Sequence, residues 1–213
     1  MPAAEHGRAN ILRVFDINDF PVLSEKMKRV FHRNYFAMYS SIYGGIVTDP
    51  VLMSVPVDDH IVHRGDGIFE VMKCVNGRIY NMKAHMKRLA DSAEMLSFNI
   101  PEDVESITDK TIQTVRIAGR KDCLVRIMLS RGCGSFGVNP YDCARPELYI
   151  IVFKAPEPFF SKHPEGASVI TSRFPSKSGL FAKAKSCNYL VNVLMKKESV
   201  DAGADFSAGF DEN

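Results

Sequence analysis

Hydrophobic and polar positions change period several times along this chain, and each change predicts an element. Residues 1–16 are polar without strong periodicity and form a loose lead-in. Ser24 can cap a short helix that carries Met27, Val30 and Phe31 on one face. The pattern then becomes strand-like. Residues 37–43 predict a strand, Gly44-Gly45 a turn, and Ile46-Val47 the returning strand before Thr48-Asp49-Pro50. After the short apolar run 55–57, Asp58-Asp59 can cap a single helical turn that leads into His63-Arg64-Gly65-Asp66-Gly67. Residues 68–75 predict a strand, Asn76-Gly77 is the strongest hairpin signal in the chain, and residues 78–81 return. Two helices follow, at about 82–97 and 102–118. On the second, Val104, Ile107, Thr111, Ile112 and Val115 share a face, and Gly119 is placed to end it. Residues 123–130 and 147–154 are nearly continuous apolar strands, the pattern of strands deep in a sheet. The loop between them, 131–146, is long and rich in Gly and Pro, and loops of that length in compact domains are often functional.

Beyond residue 154 the texture changes. Residues 155–166 hold Pro156, Pro158, Pro164 and Gly166 and are expected to be a linker. A strand (167–173), a loop, a helix (187–202, closed by Gly203) and a last strand (206–210) complete the chain. One strand, one helix and one strand have too few partners for their apolar faces to make a domain. The expected class is therefore α+β in two domains: an N-terminal unit over 1–154, the linker over 155–166, and from 167 to 213 the start of a second domain that is incomplete in this chain.

Composition narrows the function. With 213 residues, 46% hydrophobic and 24% charged, the chain has material for a sizeable core. A net charge of +2, with the basic residues scattered, gives no case for nucleic acid or an anionic membrane as partner. No apolar run is long enough to span a bilayer, and the start of the chain lacks a signal-peptide core. Five cysteines without paired spacing suit a reducing compartment, so a cytoplasmic location is expected. No CxxC or close Cys/His cluster suggests a metal, and His63 and His85 are taken as structural.

The candidate chemistry centres on Lys185, where an irregular loop gives way to the last helix. A lysine amine directed into a closed pocket can lose its charge by desolvation and condense with a carbonyl. Taken alone it could equally be one of several solvated lysines, with Lys183, Lys196 and Lys197 nearby. Three segments in order give it a setting: His63-Arg64-Gly65-Asp66-Gly67-Ile68-Phe69-Glu70, His85-Met86-Lys87-Arg88-Leu89-Ala90-Asp91-Ser92-Ala93, and Lys185-Ser186-Cys187-Asn188-Tyr189-Leu190. Together, from about Met38 to the last residue, they resemble the class IV (fold type IV) pyridoxal-phosphate-dependent aminotransferases. That family includes branched-chain and D-amino acid aminotransferases and aminodeoxychorismate lyases. The Lys-x-x-Asn spacing is more similar to the D-amino acid enzymes and the lyases.

The resemblance implies pyridoxal 5'-phosphate as cofactor, a small-molecule amino acid and a 2-oxo acid as partners, and a homodimer. Lys185 would hold the cofactor and shuttle a proton, and Arg88 would bind its phosphate with a guanidinium fork. The alternative for Arg88 is an arginine paired with a neighbouring acid. Phe69 matches an aromatic lining the site, or is a core phenylalanine; Glu70 falls on the opposite face of the strand, its role open. Arg64 stands where branched-chain enzymes tend to have an aromatic residue and would suit a substrate carboxylate, or is a surface arginine. Arg126, in a strand expected to be buried, needs a partner or a ligand. Arg131 resembles an arginine that D-amino acid enzymes use on the substrate carboxylate. Val138, in Gly137-Val138-Asn139-Pro140, resembles a loop that reaches into the neighbouring subunit's site. In the family a glutamate pairs with the cofactor's pyridine nitrogen shortly after the last strand found here. Glu212 falls in the turn before that position and is not assigned. Three readings follow: an aminotransferase, a lyase of the aminodeoxychorismate type that forms 4-aminobenzoate and pyruvate, and a non-catalytic module.

Overall fold

The computed structural model describes residues 12–177 and 179–210. Glu212 lies outside them. The chain opens on a 3-10 turn, Ile17–Asp19, whose capping box joins Asp16 and Asp19. Helix α1, Phe20–Met27, follows with Pro21 in its first turn. It therefore starts before Ser24, whose hydroxyl donates back to the Pro21 carbonyl at 2.8 Å instead of capping. Val30 and Phe31 fall in a separate 3-10 turn, Val30–Asn34, and are exposed.

Strands β1 (Tyr35–Ser40) and β2 (Gly45–Val47) form the first hairpin, and the one-turn helix α2 (His60–His63) is capped by Asp59. Strands β3 (Gly67–Val75) and β4 (Arg78–Ile79) flank Asn76-Gly77, both with positive φ as the tight turn requires. Helices α3 (Met82–Met95) and α4 (Val104–Ala118) come next, then β5 (Cys123–Ser130) and β6 (Glu147–Phe153). Asp103 caps α4 and Gly119, at φ 63°, ends it. Val104 begins that helix and is partly exposed, while Thr114 joins Ile107, Thr111 and Val115 on the buried face.

These strands make one antiparallel sheet in the order β2-β1-β6-β5-β3-β4. Ile68, Met72, Val125, Ile127 and Leu129 turn one face of it onto α3 and α4, where Met86, Leu89, Ala93, Ile107 and Val115 meet them. Because the helices cover only that face, β5 alternates instead of being buried on both sides: Val125 and Ile127 are buried, and Arg126 between them is exposed on the open face. This corrects the buried setting expected for Arg126.

After β6, a single helical turn, α5 (Phe159–Lys162), interrupts the proline-rich stretch. Then come β7 (Val169–Thr171), α6 (Gly179–Lys183), α7 (Leu190–Asp201) and β8 (Phe206–Ala208). Strands β7 and β8 pair in parallel, joined through α7 as a β-α-β unit. Helix α7 starts three residues later than its sequence pattern predicts, because Ser186 and Cys187 pair with β3.

Candidate active site

The site is built on an edge. Strand β4 covers β3 only at Cys74 and Val75, which leaves the edge of β3 open toward its start. The segment around Lys185 fills that edge. Ile68 and Ser186 bridge antiparallel, Phe69 N donates to Lys185 O at 3.0 Å, and Cys187 N donates to Gly67 O at 2.7 Å. Lys185 N donates to Ser92 Oγ of α3 at 3.3 Å. Gly65 permits this approach, and Gly67 lets α2 pack against the start of β3. A Cβ on Gly65, which also has φ +63°, would sit 2.7 Å from Asn188 Oδ1. A Cβ on Gly67 would sit 2.7 Å from Ile61 Cδ1 and 3.1 Å from Leu129 O.

Lys185 is half-buried, and its Nζ lies 4.2 Å from the Phe69 ring centroid. The same Nζ donates to Tyr189 Oη at 3.2 Å, and the Tyr189 ring meets Phe69 edge-on at 5.1 Å. Tyr189 was missed by the sequence reading. The signal available was its place four residues after Lys185, and pairing across that interval needed the structure.

Arg88 enters from α3. Its Nε donates to Glu70 Oε1 and its Nη2 to Glu70 Oε2, both at 2.6 Å. His85 Nδ1 sits 2.7 Å from Glu70 Oε2. Burial would push the Glu70 carboxyl up, but the hydrogen bonds from Arg88 and His85 outweigh it and hold it below the usual carboxylate range. The Arg88 guanidinium is held above its ordinary value, chiefly by the hydrogen bond to Glu70. Arg88 thus has the acid partner considered from sequence, and it also lines a cavity of about 430 Å³ together with Lys185, Tyr189, Lys177, Ser176 and Asn192.

The other sequence candidates divide. Arg126 lies 5.4 Å from the Phe69 centroid and 5.8 Å from that of Phe153, with no carboxylate in ion-pair range among the described residues. It shares the open sheet face with Phe69. Arg64 donates to the carbonyls of Gly137, His63 and Phe136, which ties the 131–146 loop to the glycine turn. Val138 in that loop is 80% exposed. Arg131 is not offered to Lys185. Its Nε and Nη2 bind Asp66, Nη1 and Nη2 donate to the carbonyls of Ser97 and Leu96, and its guanidinium stacks on Phe98 at 3.8 Å. A carboxylate ligand there would have to displace Asp66.

Among the described residues no group of His, Cys, Asp and Glu is placed to hold a metal. His60 is buried between Asp66 and the Ser135 carbonyl, and His63 packs against His60 and Phe136.

The family model for amino-transferase class IV matches residues 67–213. The chain belongs to the class IV aminotransferases. A curated relative, the chloroplastic D-amino-acid transaminase of Arabidopsis thaliana, is 43% identical over 172 residues, covering 81% of this chain and 45% of its own length. The bifunctional aminodeoxychorismate lyase / D-amino acid transaminase of Mycobacterium tuberculosis is 27% identical over 75% of this chain and 56% of its own. Among solved structures, a T.th. branched-chain amino acid aminotransferase complexed with N-(5'-phosphopyridoxyl)-L-glutamate superposes with a TM-score of 0.74 at 27% identity. That match covers 84% of this chain and 59% of the solved one. This class IV aminotransferase chain spans about half the length of the curated relatives it matches.

Proposed function

We propose that this chain binds pyridoxal 5'-phosphate through Lys185 and Arg88 and serves the transfer of an amino group between an amino acid and a 2-oxo acid. The observation that carries the reading is one cavity lined by both Lys185 and Arg88. The donor set fits the cofactor: a primary amine for its aldehyde, a guanidinium fork for its phosphate, and an aromatic pair around the amine. When bound, the pyridine ring supplies the electron sink for chemistry at the substrate α-carbon. Lys185 then acts as the base that moves a proton, with Tyr189 Oη holding its Nζ. Phe69 packs under that amine. Arg126, free of acid partners among the described residues and 5.4 Å from the Phe69 centroid on the same sheet face, is the cation assigned to a substrate carboxylate. Arg64 holds the 131–146 loop through the carbonyls of Phe136 and Gly137. Arg131 ties the end of α3 to Asp66, and a substrate carboxylate binding there would compete with that ion pair.

We further read the chain as an N-terminal unit through residue 154, a linker over 155–166, and the cofactor-binding unit from 167. The hydrophobic core ends at Val152, and β7 and β8 form their own sheet, which supports this division. A homodimer is supported by the exposed Phe136, Val138 and Tyr141 of the loop, which offer apolar surface to a second copy. A reducing, cytoplasmic setting is supported by five free cysteines. No helix among the described residues is long and apolar enough to cross a membrane.

The test is incubation of the protein with pyridoxal 5'-phosphate, borohydride reduction and peptide mapping. The label is expected on Lys185 and absent in Lys185→Ala. A single-site label that survives Lys185→Ala would refute the assignment. Amino transfer that requires an added 2-oxo acid identifies the transferase, whereas pyruvate release without an acceptor identifies the lyase.

A further inference from the structure

Glu70 takes no part in the chemistry above, yet three donors converge on it. Its side chain is 1% exposed, and it receives both nitrogens of the Arg88 fork as well as His85 Nδ1. A bidentate pair fixes the plane and the rotation of a guanidinium as well as its distance. The acid is itself fixed, since Glu70 sits in the β3 ladder opposite Ile127 of β5. His85 and Arg88 lie one turn apart on α3, so both reach it from one helix face. The pair leaves Nη1 as the guanidinium nitrogen without a protein partner among the described residues, on a side chain that is 51% exposed and lines the Lys185 cavity.

We infer that Glu70 is a positioning residue, which holds Arg88 with Nη1 presented to the cofactor phosphate, while His85 braces the carboxylate. The inference rests on the proposed function. A buried carboxylate paired with a half-exposed arginine returns little stability for its desolvation, so stability alone is a weak reason to keep it. Its charge also offsets part of the arginine's attraction for an anion. Orientation and net charge therefore predict opposite effects when Glu70 is neutralised. If orientation dominates, neutralising Glu70 weakens phosphate binding; if charge dominates, it strengthens it.

The experiment compares the dissociation constants of pyridoxal 5'-phosphate and of pyridoxal, which lacks the phosphate, by visible absorbance titration. Their ratio reads the phosphate contact alone. Glu70→Gln is expected to cut the wild-type preference for the phosphorylated form by about tenfold and leave pyridoxal affinity unchanged. In an Arg88→Met background the same substitution is expected to change nothing, because Glu70 acts only through Arg88. A preference that is retained or increased in Glu70→Gln overturns the inference and leaves the proposed function standing. Loss of affinity for both compounds together makes Glu70 a residue of the fold and also overturns it. A wild-type protein without any preference overturns the inference and the reading beneath it.

Discussion

The sheet with its two helices and the region after residue 156 are held together by different forces. Every member of the buried hydrophobic cluster lies between Tyr39 and Val152. Beyond Pro156 the buried residues, among the described ones, are Ala184, Ser172, Ser186 and Ser199, three of them serines. What orders that region is a small ring cluster, Phe159 with His163 and Phe206, together with polar contacts. Asp205 accepts from Ser168 N and Oγ, both at 2.9 Å, and Ser172 Oγ donates to Glu198 Oε2 at 2.7 Å. Leu190, Val193 and Val200 of α7 remain exposed. The two regions therefore differ in what a substitution costs, since apolar burial scales with area removed from water while single polar contacts return less.

The largest expected effect is in the core. Leu129→Ala should lower unfolding stability by about 2–5 kcal/mol, read from urea denaturation followed by circular dichroism. Next is the buried polar cluster beneath the sheet, where Asp59 accepts from Tyr149 Oη at 2.7 Å, from Ile61 N at 2.9 Å and from the Ser130 hydroxyl. Burial and the Asp59 carboxylate push the Tyr149 hydroxyl up, so it stays a donor. Tyr149→Phe, which removes one of these hydrogen bonds and leaves Asp59 a donor short, should cost about 1–3 kcal/mol, by the same measurement. Acid titration gives a smaller signal. Glu70 is held below its ordinary value when folded, so its contribution is present above the usual carboxylate range near about 4.3 and is lost as pH falls through the folded value. Wild type should accordingly lose more stability on acidification than Glu70→Gln, and parallel curves would remove the ion pair from the account of stability. The smallest effect belongs to α7: Val193→Ala should stay within about 0.5 kcal/mol. A cost there comparable to that of Leu129→Ala would break the distinction between the regions.

Local signals in the sequence were legible where short-range chemistry decides the outcome. The Asn76-Gly77 turn, the Asp59 cap and the Gly119 stop each depend on a few adjacent residues, and β5 follows its apolar run. What was not legible depended on partners distant in the chain. Lys185 reads locally as the residue before a helix, but pairing with β3 holds it in an extended segment. Glu70 alternates correctly with Phe69, yet only the approach of α3 shows that its face carries Arg88 and His85. Arg126 could not be placed, because a run of apolar residues does not reveal that one face of the sheet lacks helices. Arg131 carries a familiar motif, and its donors are taken up by Asp66 and by carbonyls at the end of α3.

The bridge between Ile68 and Ser186 also bears on timing. These residues meet across most of the chain, so their pairing closes one of the costliest loops in the fold and contributes only a few hydrogen bonds in return. The sheet can form without it; the lysine cannot reach Phe69 without it. The proposed cofactor site is therefore expected to be completed late in folding and lost first when the edge frays. The amide of Cys187 should exchange with solvent well before those of Ile127 and Val125.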